Sequence, residues 1–420
     1  MKHVILGNGP AGVIAAETIR KHAPGDDIML VGDEPEPPYS RMAIPYLLMG
    51  EIGEEGTYLR KGKNHFALHR IQLCTGRAKA VDTVARRVQL DDRTVLPFDR
   101  LLIATGSVPV RVPIPGIDLP GVSPCWTLAD ARQIIARLKP GARVLQMGAG
   151  FIGCIILEAL AARGVQLAVV EMGDRMVPRM MGEGAGGMIK RWVEKKGVTV
   201  YTSTRVEAIE RAAPLAVRLS TGQHLPVDLV ISATGVGPNI GFLEGSAINC
   251  LQGILTDERM QTNVQGIYAA GDCAEAFDAI TGKTMVSAIQ PNAADQAYCA
   301  GLNMAGKHAR QRGVTQINVL DTLGLISTSF GQWQGVPGGQ HAELTDEGNY
   351  RYVRLEFDGD VLVGANAIGH IEHVGLLRAL IQSRVKLGPW KDRLLRDPFL
   401  LPEAYLASAQ AQQAWGLRVA

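Results

Sequence analysis

The sequence predicts an α/β protein with two βαβ units, the second inserted into the first, followed by a C-terminal α+β domain. A glycine signature occurs twice, as Gly7-Asn8-Gly9-Pro10-Ala11-Gly12 and as Gly148-Ala149-Gly150-Phe151-Ile152-Gly153. Each copy follows a short apolar run and precedes a helical pattern. An apolar segment that ends in Ala-Thr-Gly also occurs twice, at residues 101–106 and 229–235. The second signature lies between these two segments, so the second unit is predicted to interrupt the first.

Each glycine signature has the GxGxxG spacing that is typical of a turn binding the pyrophosphate of a dinucleotide. The first glycine permits the turn, the second lets backbone N–H groups approach the anion, and the third lets helix and strand pack closely. An acidic residue ends the next apolar strand in both copies, Asp33 in the first and Glu171 in the second. A carboxylate there can accept hydrogen bonds from the hydroxyls of an adenosine ribose. The sequence therefore predicts two dinucleotide sites.

Three later segments complete the predicted organisation. A strand that ends in Gly271-Asp272, followed by a helical pattern over residues 291–304, returns the chain to the first unit. Asp272 then stands at the end of a strand, where its carboxylate can accept a cofactor hydroxyl. After residue 314, Val353, Leu355 and Phe357 alternate with polar residues before an Asp-Gly turn, which predicts an antiparallel hairpin. Another helix is predicted over residues 373–384.

Composition excludes several classes of protein. The chain has 420 residues, of which 46% are hydrophobic, so it can form more than one core. The net charge of +2, with both signs interspersed, favours neither a nucleic-acid nor a membrane-surface partner. No apolar run reaches the roughly 18 residues of a membrane span. The first strand begins by His3, which leaves no room for a signal peptide, so we expect a cytoplasmic protein.

The cysteines show no redox pattern. The chain has six, without a CxxC or CxxxxC pair, and we interpret them as small buried apolar residues. They are Cys74, Cys125, Cys154, Cys250, Cys273 and Cys299.

The order of these motifs resembles the FAD-dependent pyridine nucleotide-disulfide oxidoreductase superfamily. Within it, residues 33–41 resemble the segment of NADH-dependent rubredoxin and ferredoxin reductases, of the flavin part of NADH nitrite reductases and of apoptosis-inducing factor. The resemblance implies FAD in the first unit and NAD(H) in the second. The expected domains are an FAD domain formed by residues 1–113 and 240–314, an NAD(H) domain over 114–239, and a C-terminal interface domain over 315–420 that could support a homodimer.

The resemblance also assigns cofactor-binding residues. Those implied to contact FAD are Gly7, Gly9, Gly12, Asp33, Arg41, Ala78 through its backbone, Thr105 and Asp272, with Ala288 and Ile289 near the flavin edge. Their neighbours Pro10, Ala11, Glu34, Ala104 and Gly106 are further candidates. The candidates for NAD(H) are Gly148, Gly150, Ile152, Gly153, Glu171 and Gly235.

The chain departs from its relatives where they carry reactive groups. Met42 stands where the single-cysteine relatives place their reactive thiol, and a thioether cannot form a thiolate nucleophile. Ferredoxin reductases usually have a lysine where Tyr46 stands and a glutamate where Ile155 stands. We take Tyr46 and Glu158 as the candidate catalytic residues. Glu158, one helical turn after Ile155, could replace the missing glutamate or could be an ordinary surface carboxylate.

Other features favour packing over chemistry. His370 and His373, with Glu372 between them, have a spacing compatible with a metal, but no further ligand is evident, so hydrogen bonding is preferred and no metal is predicted. Residues 176–181, rich in methionine, are interpreted as packing at a domain junction. Trp333 and Trp390 are interpreted as core or dimer-contact residues.

The predicted function is that of an NADH-dependent FAD oxidoreductase passing electrons to a separate acceptor. Without a thiol relay, the favoured acceptor is a small redox protein such as a rubredoxin, a ferredoxin or a linked reductase component. A direct flavin oxidase or small-molecule reductase and a non-enzymatic NADH-sensing flavoprotein remain open.

Charge leads to two further expectations. Glu171 should repel the 2′-phosphate of NADPH, although Arg175 could offset that repulsion. A basic segment should attract an acidic carrier, unless it is only a solvated turn; its residues are Arg41, Arg60, Lys61 and Lys63.

Overall fold

A computed structural model describes residues 1–62, 64–370, 372 and 374–416. The chain forms two compact units. The first contains Met1–Val110, Trp126–Leu128 and Val236–Val314, and the second contains Arg111–Cys125, Ala129–Gly235 and Thr315–Ala420. Both have parallel sheets with connecting helices, which confirms the predicted α/β class. Among the described residues, no helix is both long enough and apolar enough to cross a membrane.

The strands and helices follow one another in this order. The strands of the N-terminal half are β1 (Lys2–Leu6), β2 (Asp27–Gly32), β3 (Ile71–Thr75), β4 (Ala78–Asp82), β5 (Arg87–Leu90), β6 (Val95–Pro97), β7 (Arg100–Ile103), β8 (Ser107–Pro109), β9 (Val122–Pro124), β10 (Arg143–Met147), β11 (Gln166–Val170), β12 (Thr199–Tyr201) and β13 (Val206–Glu210). Those of the C-terminal half are β14 (Leu215–Leu219), β15 (His224–Val227), β16 (Leu229–Ser232), β17 (Val236–Pro238), β18 (Ile254–Leu255), β19 (Ile267–Ala269), β20 (Ala274–Phe277), β21 (Thr284–Val286), β22 (Ile317–Thr322), β23 (Leu325–Gly331), β24 (Gln340–Asp346), β25 (Arg351–Asp358) and β26 (Val361–Ile368). The α-helices are α1 (Pro10–His22), α2 (Ile44–Met49), α3 (His65–Leu68), α4 (Leu128–Arg137), α5 (Phe151–Ala161), α6 (Glu183–Lys195), α7 (Gln290–Met304), α8 (Val374–Ser383), α9 (Pro389–Arg396) and α10 (Leu401–Gly416).

The first unit is built on a five-stranded parallel sheet of order β19-β7-β1-β2-β3. Its central strand is buried from His3 to Leu6, as expected for a parallel strand covered on both faces. Helix α1 packs on this sheet and against α7. Strands β4, β5 and β6 form a separate antiparallel sheet. The two Ala-Thr-Gly tripeptides come directly after β7 and β16. These strands pair with the first strand of each βαβ unit.

An arginine anchors the long connection between β2 and β3. Arg20, on α1, donates hydrogen bonds to the carbonyl oxygens of Pro24, Asp26, His69 and Arg70 at 2.7–2.9 Å. The planar guanidinium has five N–H donors, so one side chain can satisfy all four carbonyls. The connection runs over residues 33–70, and its C-terminal end is thereby held against α1.

The second unit repeats the plan and adds the C-terminal sheet. Its parallel sheet has the order β12-β11-β10-β16-β9, and β13, β14 and β15 form the antiparallel partner. The C-terminal sheet is antiparallel, of order β22-β23-β26-β25-β24. The predicted hairpin is β25 and β26, but Tyr352 and Glu356 are buried along with the apolar residues. Both faces of β25 are therefore covered, and Arg354 compensates Glu356 with a 2.6 Å hydrogen bond.

Candidate functional site

The first glycine signature forms a tight turn between β1 and α1. A Cβ atom on Gly7 would lie 2.0 Å from the carbonyl oxygen of Ala104, and one on Gly12 would lie 1.8 Å from that of Gly7. Only glycine fits at either position. Gly9 differs, because no described atom lies within 4 Å of where its Cβ would be. It precedes the N-terminus of α1, whose first residue is Pro10. The space above Gly9 is therefore open, and the helix end beside it favours an anion.

A cavity of about 240 Å³ adjoins this turn. Four of the predicted FAD residues lie in its wall: Gly7, Asp33, Ala78 and Thr105. The structure thus brings together residues up to 98 positions apart in the sequence, as a cradle for an elongated cofactor requires. Wall residues that the sequence analysis did not identify are Leu6, Val31, Gly76, Arg77, Val108, Asn239, Gly241 and Phe242. They lie on strand ends and loops without a recognisable motif.

Two polar contacts order the cavity wall. The Asp33 carboxylate accepts a hydrogen bond from Nε of Arg77 at 3.1 Å. A carboxylate can accept several hydrogen bonds, so this pair still allows Asp33 to bind ribose hydroxyls. The Thr105 hydroxyl donates to the carbonyl oxygen of Asn239 at 2.8 Å. The Thr105 side chain therefore orders the cavity wall. Asn239 was not predicted from the sequence, because its position directly after β17 is the only feature that distinguishes it.

The loop after β2 ends in an ion-paired arginine. Nη2 of Arg41 lies 2.5 Å from the Glu34 carboxylate, which also accepts a 2.7 Å hydrogen bond from the Tyr39 hydroxyl. Burial raises the pKa of Tyr39, so its hydroxyl remains the donor. The guanidinium of Arg41 also lies 5.1 Å from the centre of the Trp126 ring. Glu34 and Arg41, both predicted cofactor ligands, therefore form one ordered cluster.

Asp272 follows β19 and forms a second polar cluster. Its carboxylate accepts a 2.8 Å hydrogen bond from the buried Ser107 hydroxyl. Burial raises the pKa of Asp272, and the donation from Ser107 opposes that rise. The carbonyl oxygen of Ser107 accepts a 3.0 Å hydrogen bond from the Trp126 indole. Near this cluster in sequence, Ala288 is exposed and Ile289 caps the N-terminus of α7.

Met42, which stands where the single-cysteine relatives have their reactive thiol, is exposed. Met42 and Tyr46 lie on successive short helices, with side chains 50% and 51% exposed. All six cysteines are unpaired, and four of them are buried. Burial raises the pKa of Cys273 and of Cys299 to about 11. The buried thiols are therefore protonated at neutral pH, which agrees with the interpretation as packing residues, whereas Cys74 and Cys250 are only partly buried.

The second glycine signature repeats the geometry of the first. A Cβ on Gly148 would lie 2.4 Å from the Ala233 carbonyl oxygen, and one on Gly153 would lie 2.5 Å from that of Gly148. Gly150 caps α5, with no described atom within 4 Å of its Cβ position. Ile152 lies in the first turn of this helix, and Gly235, the last residue of the second Ala-Thr-Gly segment, has a φ of +111°.

Glu171 closes this second turn. Its two carboxylate oxygens accept 2.7 Å hydrogen bonds from the backbone N–H groups of Ala149 and Gly173. Arg175 is engaged elsewhere, since it donates to the Met181 carbonyl oxygen at 2.9 Å and to Asp174 at 2.7 Å. The structure thus weakens the suggestion that Arg175 is available for a phosphate. Glu158 is half-buried on α5, and its role stays a prediction.

Three other sequence features are placed by the structure. The methionine-rich segment is buried, and Asn366 of β26 donates to the Met180 carbonyl oxygen at 3.1 Å, which fixes the segment within the second unit. His373 and Lys63 lie outside the described residues. Among those that are described, no group of three or more potential ligands is placed to hold a metal.

The basic segment is largely neutralised. Arg60 makes a two-point ion pair with Glu17 at 2.5 and 2.6 Å, and His65 adds a third contact to the same carboxylate at 2.8 Å. With Arg41 paired to Glu34, Lys61 is the exposed cation of the three that the structure describes. The expectation of a row of available charges is therefore corrected, because partners on α1 and in the preceding loop neutralise two of them.

Comparison with known proteins agrees with this geometry. Residues 1–300 match the family model described as pyridine nucleotide-disulphide oxidoreductase. The chain is 31% identical over 402 residues to the NADH-dependent phenylglyoxylate dehydrogenase subunit epsilon of Aromatoleum evansii, covering 94% of this chain and 95% of that one. It is 32% identical over 318 residues to rhodocoxin reductase of Rhodococcus erythropolis, covering 75% and 74%. The putidaredoxin reductase complexed with putidaredoxin shares the fold, with a TM-score of 0.89 at 24% identity over 97% of this chain and 99% of that one.

Proposed function

Because the chain belongs to the pyridine nucleotide-disulphide oxidoreductase family and is an FAD-dependent NAD(P)H oxidoreductase, we propose that it passes electrons from NADH through the flavin to a small redox protein. The observation that carries the proposal is the sulfur chemistry. Met42 stands where the resemblance places a reactive thiol, and burial raises the pKa of the four buried cysteines. Electrons would therefore leave from the flavin itself, because FAD, when bound, would supply an acceptor for the hydride of nicotinamide and could release electrons singly.

The residues present fit both cofactors. The open space above Gly9, the helix end beside it and the carboxylate of Asp33 suit the pyrophosphate and adenosine of FAD. We assign Asp272, which accepts from Ser107, to a ribityl hydroxyl, and we keep Arg41, paired with Glu34, as a cofactor contact in the same unit. We assign NAD(H) to the second signature, with Glu171 selecting against a 2′-phosphate by charge. Tyr46 and Glu158 remain our candidates for contacts with the reacting rings.

The proposal extends to organisation and location. We assign residues 1–113 and 240–314 to the FAD domain, 114–239 to the NAD(H) domain and 315–420 to the C-terminal interface domain, and we place the protein in the cytoplasm. The solved putidaredoxin reductase structure contains its redox partner, and rhodocoxin reductase is named for one. These names support a small electron carrier as the acceptor.

Anaerobic turnover tests this proposal. NADH oxidation is followed with a rubredoxin, a [2Fe–2S] ferredoxin or a small quinone as the sole acceptor, and a parallel aerobic assay uses oxygen. The reduction of the flavin by NADH is measured separately by stopped flow. We expect at least one protein carrier to be reduced many times per enzyme and oxygen to be used slowly. Rapid turnover with oxygen or the quinone, but with no carrier, would instead establish direct flavin chemistry.

The A. evansii relative suggests a second candidate, because it is named as a subunit and this chain covers 95% of its length. In that case the acceptor is a permanent partner and not a diffusing carrier. Rapid flavin reduction by NADH without turnover of any free acceptor would favour this subunit role.

Substitution of Lys61 tests whether electrostatic attraction guides an acidic carrier to the protein. If an acidic carrier docks near Lys61, Lys61→Glu should slow carrier reduction severalfold at about 0.05 M salt and have little effect at about 0.5 M, because salt screens exposed charges. Flavin reduction by NADH should stay unchanged. The matched control is Lys139→Glu, an exposed lysine in the second unit. Equal effects of the two substitutions would show that Lys61 only contributes to the overall charge.

Thiol alkylation should leave the flavin reaction intact. Iodoacetamide can reach Cys74 and Cys250, the two partly exposed cysteines, while the buried four should react only slowly because their pKa values are raised. We expect unchanged rates of flavin reduction in protein whose modified sites are mapped by mass spectrometry. Loss of this step in folded, flavin-loaded protein would reveal a catalytic thiol.

Ser107→Ala should change how FAD affinity depends on pH. Burial holds the pKa of Asp272 above its ordinary value, and the Ser107 hydroxyl lowers it by donating to the carboxylate. Affinity should fall as acid protonates Asp272, because a neutral carboxyl group accepts hydrogen bonds more weakly. Removing the donor raises the pKa further, so the fall should move to higher pH. FAD titrations of apoprotein at several pH values measure the midpoint, with the buried Ser123→Ala as the control.

A further inference from the structure

We propose that Trp126 is a positioning residue that holds two separate parts of the FAD site, Arg41 and the Ser107–Asp272 pair, in a fixed relation. The proposal rests on FAD as the cofactor of the first unit and is independent of which acceptor takes the electrons.

Trp126 belongs to a different unit from the residues that flank it on one side in the sequence. Residues Trp126–Leu128 pack with the first unit, although Arg111–Cys125 before them and Ala129–Gly235 after them belong to the second. Three residues of the inserted sequence thus complete the structure of the FAD-binding unit. The side chain of Trp126 is partly buried there, and both of its contacts described below lie within that unit.

One indole makes contacts of two kinds. The Arg41 guanidinium lies 5.1 Å from the ring centre, within the range of a cation–π interaction. The ring N–H donates a 3.0 Å hydrogen bond to the carbonyl oxygen of Ser107. The first contact uses the ring system and the second uses the ring nitrogen, so the two can be removed separately by substitution.

Each contact leads to a predicted cofactor ligand. Arg41 ends the loop after β2, where Glu34 holds the other side of its guanidinium at 2.5 Å. Ser107 begins β8, and its buried hydroxyl donates to Asp272 at 2.8 Å. Arg41 and Asp272 are 231 positions apart in the chain, and the indole contacts both local clusters, through the Arg41 guanidinium and the Ser107 carbonyl oxygen. The ring therefore limits how far the loop can move relative to the end of β19.

This arrangement predicts a specific kind of energetic coupling. With Trp126 present, a change at Arg41 alters the setting of Ser107 and Asp272, and the reverse also holds. Residues that share a partner show non-additive effects, whereas independent sites add. A tryptophan that only fills space would lower stability without creating this dependence between Arg41 and Ser107.

The test uses FAD binding by apoprotein, measured by isothermal titration and by quenching of flavin fluorescence. Trp126→Phe keeps a ring beneath Arg41 and loses the N–H donor, while Trp126→Leu loses both contacts. We expect FAD affinity to fall roughly severalfold in the first variant and at least about tenfold in the second. Trp390→Leu is the matched control, because Trp390 also lies under an arginine, Arg393 at 4.5 Å, in the other unit. Its FAD affinity should equal that of the unsubstituted protein.

A double-mutant cycle provides the measurement that a merely structural role would not change. Arg41→Lys and Ser107→Ala are measured alone and together in three backgrounds, namely the unsubstituted protein, Trp126→Phe and Trp126→Leu. We expect non-additivity of at least about threefold in FAD affinity with Trp126 and additive effects in Trp126→Leu. Unchanged affinity in Trp126→Leu, or additive effects with Trp126 present, would overturn the proposal. If Trp126→Leu does not fold, as judged by circular dichroism, the Trp126→Phe cycle decides, because loss of the N–H alone must reduce the non-additivity.

Discussion

Gly9→Leu should abolish FAD binding while leaving the protein folded. Apart from Gly9 and its chain neighbours, no described atom lies within 4 Å of the Cβ position of Gly9, so a Cβ atom there meets no clash within the protein. It would instead occupy the space in front of the α1 N-terminus, where the pyrophosphate is expected. Excluding the cofactor backbone from that helix end removes several hydrogen bonds at once, and we expect at least about a hundredfold loss of affinity.

Flavin content after purification and FAD titration of the apoprotein measure this effect, and circular dichroism reports the fold. Gly25→Leu is the matched control, because Gly25 also has no described atom within 4 Å of its Cβ position and lies in the turn before β2. Gly12→Leu would be uninformative, since its side chain would collide with the Gly7 carbonyl. A Gly9→Leu protein with full flavin content would contradict the assignment of this turn to FAD.

Glu171→Gln should impair NADH binding strongly and spare FAD. The carboxylate accepts hydrogen bonds from two backbone N–H groups, one on each oxygen. An amide has one oxygen, so its NH₂ group would face one of these N–H donors. Losing a charge-assisted hydrogen bond costs about 1.5–3 kcal/mol, which is roughly a tenfold to hundredfold loss of affinity if the turn must form to bind NADH. The loss for NADPH should be smaller, because the substitution also removes the repulsion of its 2′-phosphate.

Stopped-flow reduction of the flavin by each nucleotide measures these effects. The unsubstituted protein should prefer NADH, and the variant should show a reduced preference. Glu210→Gln serves as the control, because Glu210 is an exposed glutamate of the second unit and the substitution leaves the Arg175–Asp174 pair intact. Equal efficiency with NADH and NADPH in the unsubstituted protein would show that Glu171 does not select the nucleotide.

The sequence predicted the parts of the fold that depend on local steric requirements. The first and third glycines of each signature are required by backbone contacts of 1.8–2.5 Å, and such requirements leave a fixed spacing in the chain. The hairpin of β25 and β26 was predicted from alternation and an Asp-Gly turn, and the structure confirms it. The burial of Glu356 was not predictable, because it depends on Arg354 and on packing over both sheet faces.

The electrostatics of the site were less predictable, because they depend on partners distant in sequence. Arg60 was expected either to help attract an acidic carrier or to lie in a solvated charged turn, yet Glu17, 43 positions earlier, pairs with it. Asp33 pairs with Arg77 across 44 positions, and Trp126 contacts residues from two other segments. No spacing rule links such residues. Local composition therefore predicted the charges themselves but not which of them remain available to a partner.

The placement of sulfur in this protein also bears on its resistance to oxidants. Reduced flavins react with oxygen to give peroxide, and a thiolate beside the flavin would be the first group lost to it. In the assignment proposed above, the sulfur at that position is the Met42 thioether, half of whose side chain is exposed. Oxidation of a methionine stops at a sulfoxide that repair enzymes can reduce, whereas an over-oxidised cysteine is not recovered in general. Damage at this position would therefore be reversible by repair enzymes, and it would change the polarity of the surface beside α2 without removing a catalytic group.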